Sequence, residues 1–392
     1  MSSFEVLKRI LKQSIRPFIP LSYRAQCIAR LNPAWYPNYV YLEPTTRCNL
    51  GCLYCGRTHW KTRDKHRDLS FELFERVVKE LSEIGVKGVV LQLVGEPLMH
   101  PHILDFVARS KSLGLATVLT TNMSLLTPEI AERLVRCGHD SISVSIDSID
   151  PAVFNDLRRG VTLDKVLENL KMLCETKRRL GTRTPHIEVN VVSMRATLAG
   201  AVDLIAEMKR IGVNSMNFQQ FNTAGIKLDT VLRDGSTLRE NALENMPIEQ
   251  LRAEINKIKA CEDENFRIGV PGISTGLKTS GPQGPGILTC AELWSTSCVD
   301  SVGRVTPCCW LPDGSIINLG DLNKQSFQEI WFGEAYDRLR RQHLTNNHPS
   351  HCRACEQLFY TVASRSTLTL NRKPPRLYTR VFIGKTPADV PK

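Results

Sequence analysis

The chain has 392 residues with 42% hydrophobic content, long enough for two packed domains and ordinary for a globular protein. No apolar run reaches the roughly eighteen residues of a spanning helix, and Lys8, Arg9, Lys12 and Arg16 interrupt what a secretory signal would need as its apolar region. Thirteen cysteines in such a chain exclude a disulfide scaffold and point to metal ligands plus free thiols in a reducing cytoplasm.

Residues 3–16 place Phe4, Leu7, Leu11 and Ile15 on one helical face, basic on the other, and Ser2-x-x-Glu5 offers a capping box. This N-terminal extension, 1–36, reads as a helix packed over the end of the next domain, against the alternative of membrane association, which is not expected. Tyr39–Leu42 is an aromatic and β-branched run closed by Pro44, a buried strand. Directly after it stands Cys48-Asn49-Leu50-Gly51-Cys52-Leu53-Tyr54-Cys55, whose three thiols a single tight loop can aim at one centre. Thiolates select zinc, copper(I) or an iron–sulfur cluster. A cubane cluster needs a ligand on each of four irons and usually takes four cysteines, so three leave one iron open. A structural zinc site would be closed by a nearby residue, and His59 or His66 could serve, so both readings stand on spacing alone.

The net charge of +11 is uneven: residues 1–68 hold twelve Lys/Arg against four acids, and Lys61, Arg63, Lys65 and Arg67 follow the thiol loop. Beyond a solvated basic loop, this suits an anionic small-molecule substrate or an acidic electron donor such as flavodoxin or ferredoxin. Nucleic acid is not expected, since only Trp60 is available for stacking.

From 70 to 221 helical and strand-like patterns alternate. Ser70 caps a helix facing Phe74, Val77, Val78, Leu81 and Ile84 inward, and Gly85 stops it. Strands are expected at 88–93, 116–121, 141–146, 187–192 and 216–221, with helices at 102–112, 128–137, 163–180 and 198–211 between them. With 39–42 this makes six strands joined by right-handed crossovers, a partial (β/α)6 TIM-like barrel over 37–222. Residues 223–288 hold one helix, 248–260, and a Gly/Pro-rich connector from Gly272 to Gly286.

A second cysteine group follows within 289–365: Cys290, Cys298, Cys308, Cys309, Cys352 and Cys355. Cys290, Gly303 and Cys308 fit C-x12-G-x4-C, and Cys352-Arg-Ala-Cys355 adds a CxxC. Four thiolates from separate loops close a tetrahedral site, suited to a saturated [4Fe–4S] cluster or structural zinc. Ser326-x-x-Glu329 is a capping box opening the helix toward the CxxC. Residues 366–392 form a C-terminal tail, and Cys27, Cys137, Cys174 and Cys261 read as ordinary thiols.

CxxxCxxC with Tyr54 before its last cysteine resembles the signature of the radical S-adenosylmethionine (SAM) superfamily, and the order of motifs around the second group resembles that superfamily's SPASM/twitch extension. The resemblance covers 38–221 and 290–358. It implies a [4Fe–4S] cluster on Cys48, Cys52 and Cys55 whose open iron is chelated by SAM. Gly95 and Glu96 resemble the GGE motif that holds the SAM amino group, with Val94 in place of the first glycine. Thr121-Asn122 resembles a TTNG turn with Met123 for glycine, Ser145 and Arg158 match the residues that bind the SAM carboxylate, and Asn190 is a ribose contact; Tyr54 joins this cofactor-facing set. Thr361 and Arg365 stand where the full extension has further cysteines, so one auxiliary [4Fe–4S] cluster is implied, on Cys290, Cys308, Cys352 and Cys355, with Cys298 as a substitute for Cys290.

The activity this implies is reductive cleavage of SAM and hydrogen-atom abstraction from a substrate carbon. With an auxiliary cluster to accept an electron, the expected outcome is oxidation of a small, anionic or sugar-like molecule. Alternatives are radical epimerisation with Cys298 or Cys309 as hydrogen donor, maturation of a ribosomal peptide, and, from another class, a non-catalytic iron–sulfur carrier or zinc scaffold.

Overall fold

In this computed structural model the described residues are 36–59, 66–223, 226–270, 286–290, 292–311, 314–353, 355 and 359–362. The helix expected at 3–16, Lys61, Arg63, Lys65, Trp60, Cys27, the connector over 272–285 and the tail lie outside them.

Six strands, β1 (Tyr39–Leu42), β2 (Gly88–Leu91), β3 (Ala116–Thr121), β4 (Ser141–Ser145), β5 (His186–Ser193) and β6 (Ser215–Gln220), pair in chain order, all parallel. The main helices are α1 (Phe71–Glu83), α2 (Ile103–Ser112), α3 (Pro128–Arg136), α4 (Pro151–Leu157), α5 (Leu163–Arg179), α6 (Ala201–Ile211), α7 (Ile248–Ala260), α8 (Phe327–Trp331) and α9 (Glu334–Leu344). Local chemistry sets their ends. Ser70 Oγ accepts the Leu73 N–H at the start of α1, and Gly85, at φ 84°, turns the chain out after it. Thr127 and Thr162 cap α3 and α5 in the same way.

Side chains alternate across each strand. Val40, Leu42, Val89, Leu91, Leu119, Ile142, Val144, Ile187, Val189, Val191, Met216 and Phe218 belong to the main core with the apolar faces of the helices. Burying each such side chain is worth about 1.5–3 kcal/mol. Phe74 of α1 stacks on Phe106 of α2 with ring centroids 3.8 Å apart. The other strand face lines the barrel's interior and has two unlike walls. Tyr41, Val90 and Val118 form an apolar wall over β1–β3. Ser143, Asn190 and Asn217 form a hydrogen-bonded polar wall over β4–β6.

The sheet does not end with these six strands. β7 (Arg267–Gly269), inside the stretch read as helix and connector, extends it beyond β6. β9 (Thr296–Val299) joins the far side of β1 in parallel, followed by β10 (Arg304–Thr306) and β11 (Gly320–Asp321), both antiparallel. β8 (Gly286–Thr289) and β12 (Phe359–Val362) pair separately, Thr289 opposite Phe359. The architecture is a parallel α/β partial barrel followed by a cysteine-rich C-terminal region.

Candidate iron–sulfur and SAM site

The loop that follows β1 carries Cys48, Cys52 and Cys55 and rests on the platform formed by residues 157–160. Gly51 N–H donates to the Arg159 carbonyl (2.8 Å), and Leu53 N–H donates to that of Leu157 (3.0 Å). Gly160, at φ 113°, lets the loop approach closely; a Cβ there would meet the Asn49 carbonyl oxygen at 3.1 Å. Cys55 N–H donates to the Cys52 carbonyl, closing the CxxC turn. His59 Nε2 lies 2.5 Å from the Leu53 carbonyl oxygen, so this ring is engaged by the loop's own backbone.

Burial raises the Cys52 thiol to about 12, opposed by the nearby Arg158 guanidinium. Burial also raises Cys48, opposed by the Leu50 N–H, which donates to its Sγ at 3.4 Å, and by Arg57. Asn122 Nδ2 lies 4.0 Å from the same sulfur. Three thiols with N–H donors, the buried Arg158 and the half-buried Arg57 around them suit a soft, anionic centre.

The strand ends carry the remaining residues singled out in the sequence. Glu96 is buried, and its carboxylate accepts from Thr121 Oγ1 (2.6 Å), Asn122 N–H (2.7 Å) and Leu98 N–H (3.2 Å). Burial raises its pKa, with these bonds opposing. Glu96, Thr121 and Asn122 thus form one unit, tied to the thiol loop through Asn122 Nδ2 and Asn49 Oδ1 at 3.0 Å. Gly95 fits where no side chain can: a Cβ would lie 2.2 Å from the Thr45 carbonyl oxygen and 2.5 Å from that of Arg47. Arg158 pairs with fully buried Asp147, Nε to Oδ2 at 2.7 Å and Nη2 to Oδ1 at 3.2 Å. Tyr54 Oη donates to the same Asp147 Oδ2 at 2.5 Å, and its ring meets Phe221 edge-on. Ser145 and Asn190 are register partners on β4 and β5; Asn190 bonds Ser143 and Asn217.

Two antiparallel pairings gather the second thiol group. β8 leads directly into Cys290, and its pairing with β12 returns the chain that carries Cys352 and Cys355 to that point. β10 runs back along β9, with Thr306 opposite Cys298, so Cys308 and Cys309 leave at the β9 end where Thr296 faces Tyr39 of β1. This group therefore gathers toward the N-terminal end of β1, whereas the first loop follows its C-terminal end. Cys290, Cys352 and Cys355 act on one another electrostatically, as do Cys290 and Cys308. Cys298 is fully buried on the apolar interior wall with Tyr41, and Cys309 packs against the same cluster.

Glu292 lay outside sequence reasoning. Its buried carboxyl accepts from Thr296 Oγ1 at 2.6 Å and adds to burial in raising Cys290, Cys298, Cys308 and Cys309. An acid two residues after Cys290 was the available signal. No role for Asp147, two residues past the end of β4, was visible in the sequence.

A parallel partial barrel with a three-thiol loop at the carboxyl end of its first strand, extended by strands that bring in a second thiol group, defines a class of iron–sulfur proteins. Residues 42–199 match the model of the radical SAM superfamily, and residues 290–356 match that of an iron–sulfur cluster-binding domain, SPASM: the chain carries a radical SAM domain with a SPASM domain C-terminal to it. Similar proteins include the tungsten-containing aldehyde ferredoxin oxidoreductase cofactor-modifying protein of Pyrococcus furiosus, 31% identical over 45% of this chain and 50% of that one. The AdoMet-dependent heme synthase of Methanosarcina barkeri is 28% identical over 78% of this chain and 85% of its own. The chain thus spans half of the first relative's length. Streptococcus suis SuiB, solved bound to precursor peptide SuiA, shares the fold with a TM-score of 0.61 at 16% identity, covering 87% of this chain and 72% of that one.

The radical SAM domain implies SAM and a [4Fe–4S] cluster, and the SPASM domain implies auxiliary iron–sulfur clusters. By donor chemistry the thiol sets, with N–H donors and Arg158 beside the first, fit such groups, although among the described residues no three such side chains stand close enough to hold a metal ion. Among the described residues no helix is long and apolar enough to cross a membrane.

Proposed function

We propose that this chain is a radical SAM enzyme that oxidises a substrate held inside the barrel, with the second thiol group carrying the cluster that accepts the electron. SAM bound at a reduced cluster supplies hydrogen-atom abstraction from an unactivated carbon. Cys48, Cys52 and Cys55 would hold that cluster, and Cys290, Cys308, Cys352 and Cys355 the auxiliary one. Arg158 brings positive charge to the cofactor, and the Glu96–Thr121–Asn122 unit shapes the wall beside it. The protein's share is binding, orientation and exclusion of water.

The observation that carries the reading is the placement of the two thiol groups toward opposite ends of β1, with the interior face of that strand between them. Tyr41 and Cys298, with Cys309 packed against them, meet on that face, so part of the second group borders the barrel interior. Anaerobically reconstituted protein given SAM and dithionite should release 5′-deoxyadenosine; none at all would leave a carrier or scaffold.

Cys298 and Cys309 on the interior wall favour a second reading, epimerisation with one of them returning a hydrogen atom. Net two-electron loss from the substrate supports oxidation, and uptake of one solvent deuterium at unchanged oxidation level supports epimerisation. The substrate is either a small molecule, sugar-like or, as the basic stretch 1–68 suggests, anionic, or a peptide, as with the precursor peptide bound by SuiB. Flavodoxin or ferredoxin would supply the first electron.

A further inference from the structure

We infer that Asp147 is the positioning residue of the first site, fixing both the thiol loop and the buried cation beside it; this rests on the radical SAM reading above. Its carboxylate is fully buried and receives four donor atoms from three parts of the chain, Tyr54, Arg158 and Val192. Tyr54 Oη and Arg158 Nε converge on Oδ2 at 2.5 and 2.7 Å, while Arg158 Nη2 and the Val192 N–H converge on Oδ1 at 3.2 and 2.9 Å. Tyr54 stands between Leu53 and Cys55, and Arg158 stands between the two residues, Leu157 and Arg159, whose carbonyls receive the loop's backbone N–H groups. One carboxylate therefore grips the loop from its own side and the platform from the other.

The geometry beside it is specific. The Arg158 guanidinium carbon lies 5.5 Å from the Tyr54 ring centroid and acts on the Cys52 thiol. Without the Asp147 fork, Arg158 loses the bidentate partner that orients its guanidinium, and Tyr54 loses its hydroxyl's acceptor. A bidentate carboxylate fixes a planar guanidinium in orientation as well as position. The Val192 N–H fixes the carboxylate in turn to the end of β5.

The test uses the full chain with both clusters reconstituted, iron and sulfide quantified, and SAM affinity measured by equilibrium dialysis. In parallel, the electron paramagnetic resonance spectrum of the reduced protein is recorded with and without SAM. Asp147→Asn keeps the shape but replaces one oxygen acceptor by an amide donor facing Arg158 and Tyr54. It should weaken SAM binding at least tenfold and shrink the SAM-induced spectral change while iron content stays at the wild-type level. A merely structural role would lower stability and iron together without altering SAM affinity per intact cluster. Tyr54→Phe, which removes a single donor and keeps the ring, should weaken binding about threefold and decides the matter if Asp147→Asn does not fold. Wild-type affinity and spectra in Asp147→Asn, or in Tyr54→Phe where that variant alone folds, would overturn the inference. Wild-type protein that binds no SAM would instead overturn the radical SAM reading itself.

Discussion

The two thiol groups solve the same chemical problem in opposite ways. The first draws its cysteines from one eight-residue loop and sets Arg158 beside Cys52, and Arg57 and the Leu50 N–H beside Cys48, each of which favours the thiolate there. The second draws its cysteines from segments about sixty residues apart and sets a carboxylate, Glu292, among them, which adds to burial in pushing Cys290 and Cys308 well above the ordinary thiol range. Both end in the same local turn, the N–H of the last cysteine donating to the carbonyl three residues earlier, at Cys52–Cys55 and Cys352–Cys355. The shared turn places two sulfurs; everything else differs, one site being preformed by its loop and the other by strand pairing.

Removing single ligands should separate the two most sharply. Cys55→Ala should abolish SAM cleavage and lose the iron of the first site, while the second keeps its own. Cys352→Ala should do the reverse: 5′-deoxyadenosine still forms, without substrate oxidation. Iron and sulfide counts, with product analysis for each variant, check this. Loss of all iron from either variant would show that the two sites assemble as one and would break the contrast.

A second test concerns the packing under the first site. Gly95 was read in the sequence as part of a SAM contact, and its surroundings supply a steric reason for glycine. Gly95→Ala drives a methyl group into the backbone carbonyls of Thr45 and Arg47. Overpacking costs about 1–3 kcal/mol and more when the obstacle cannot yield, so about 3 kcal/mol or above is expected here. Chemical denaturation should show this loss; a variant as stable as wild type would mean that the β1 loop gives way.

How much was legible in the sequence follows from the same contrast. The six parallel strands and their helices were readable because each amphipathic period and cap is local: Ser70, Gly85 and Ser326 stand at the helix boundaries assigned to them. The three-thiol loop was readable for the same reason. β7, β9 and β10 were not: unlike the equally short β1 and β2, their sequences Arg-Ile-Gly, Thr-Ser-Cys-Val and Arg-Val-Thr hold no continuous aromatic or aliphatic run, and they owe their existence to partners far along the chain. The Asp147–Arg158 pair was half visible. The family resemblance pointed to the arginine as a cofactor contact, but that it is held by a fully buried carboxylate depends on the strand end and α4 meeting in space.

The interior walls supply a third test. On the polar wall, away from the thiols, Glu188 accepts from Ser215 Oγ at 3.1 Å, and burial raises it to about 7. Its neighbour His186, 2.8 Å from Ser215 Oγ through Nε2, is lowered to about 4 by burial and then by Lys177. Between pH 4.5 and 7 the folded state holds a proton on Glu188 that the unfolded chain releases, so this group's contribution is lost as pH rises through about 7. His186 runs the other way, its contribution being lost as pH falls from 6.5 through about 4. Glu188→Gln removes only the first dependence. The variant should therefore gain on wild type between pH 5 and pH 8, by at most about 3 kcal/mol at about 1.4 kcal/mol per pH unit of separation. Urea unfolding at the two pH values reads the difference, and parallel behaviour of both proteins would remove Glu188 from the account.

The smallest effects ask whether the two regions unfold as one body. Ser70 caps α1 beside the barrel, and Ser326 caps α8 in the SPASM region, the latter with Glu329 completing a capping box. Either serine changed to alanine should cost about 1 kcal/mol. Because β9 pairs with β1 over all four of its residues, the SPASM region and the barrel share one sheet. Ser70→Ala and Ser326→Ala should then shift the same single transition by the same amount, followed by circular dichroism and by tryptophan fluorescence, to which Trp294, Trp310 and Trp331 of the SPASM region contribute three of the chain's five tryptophans. If Ser326→Ala moves only the fluorescence transition, the β1–β9 ladder does not couple the regions, and the contrast between the two thiol sites becomes one between two independently folding units.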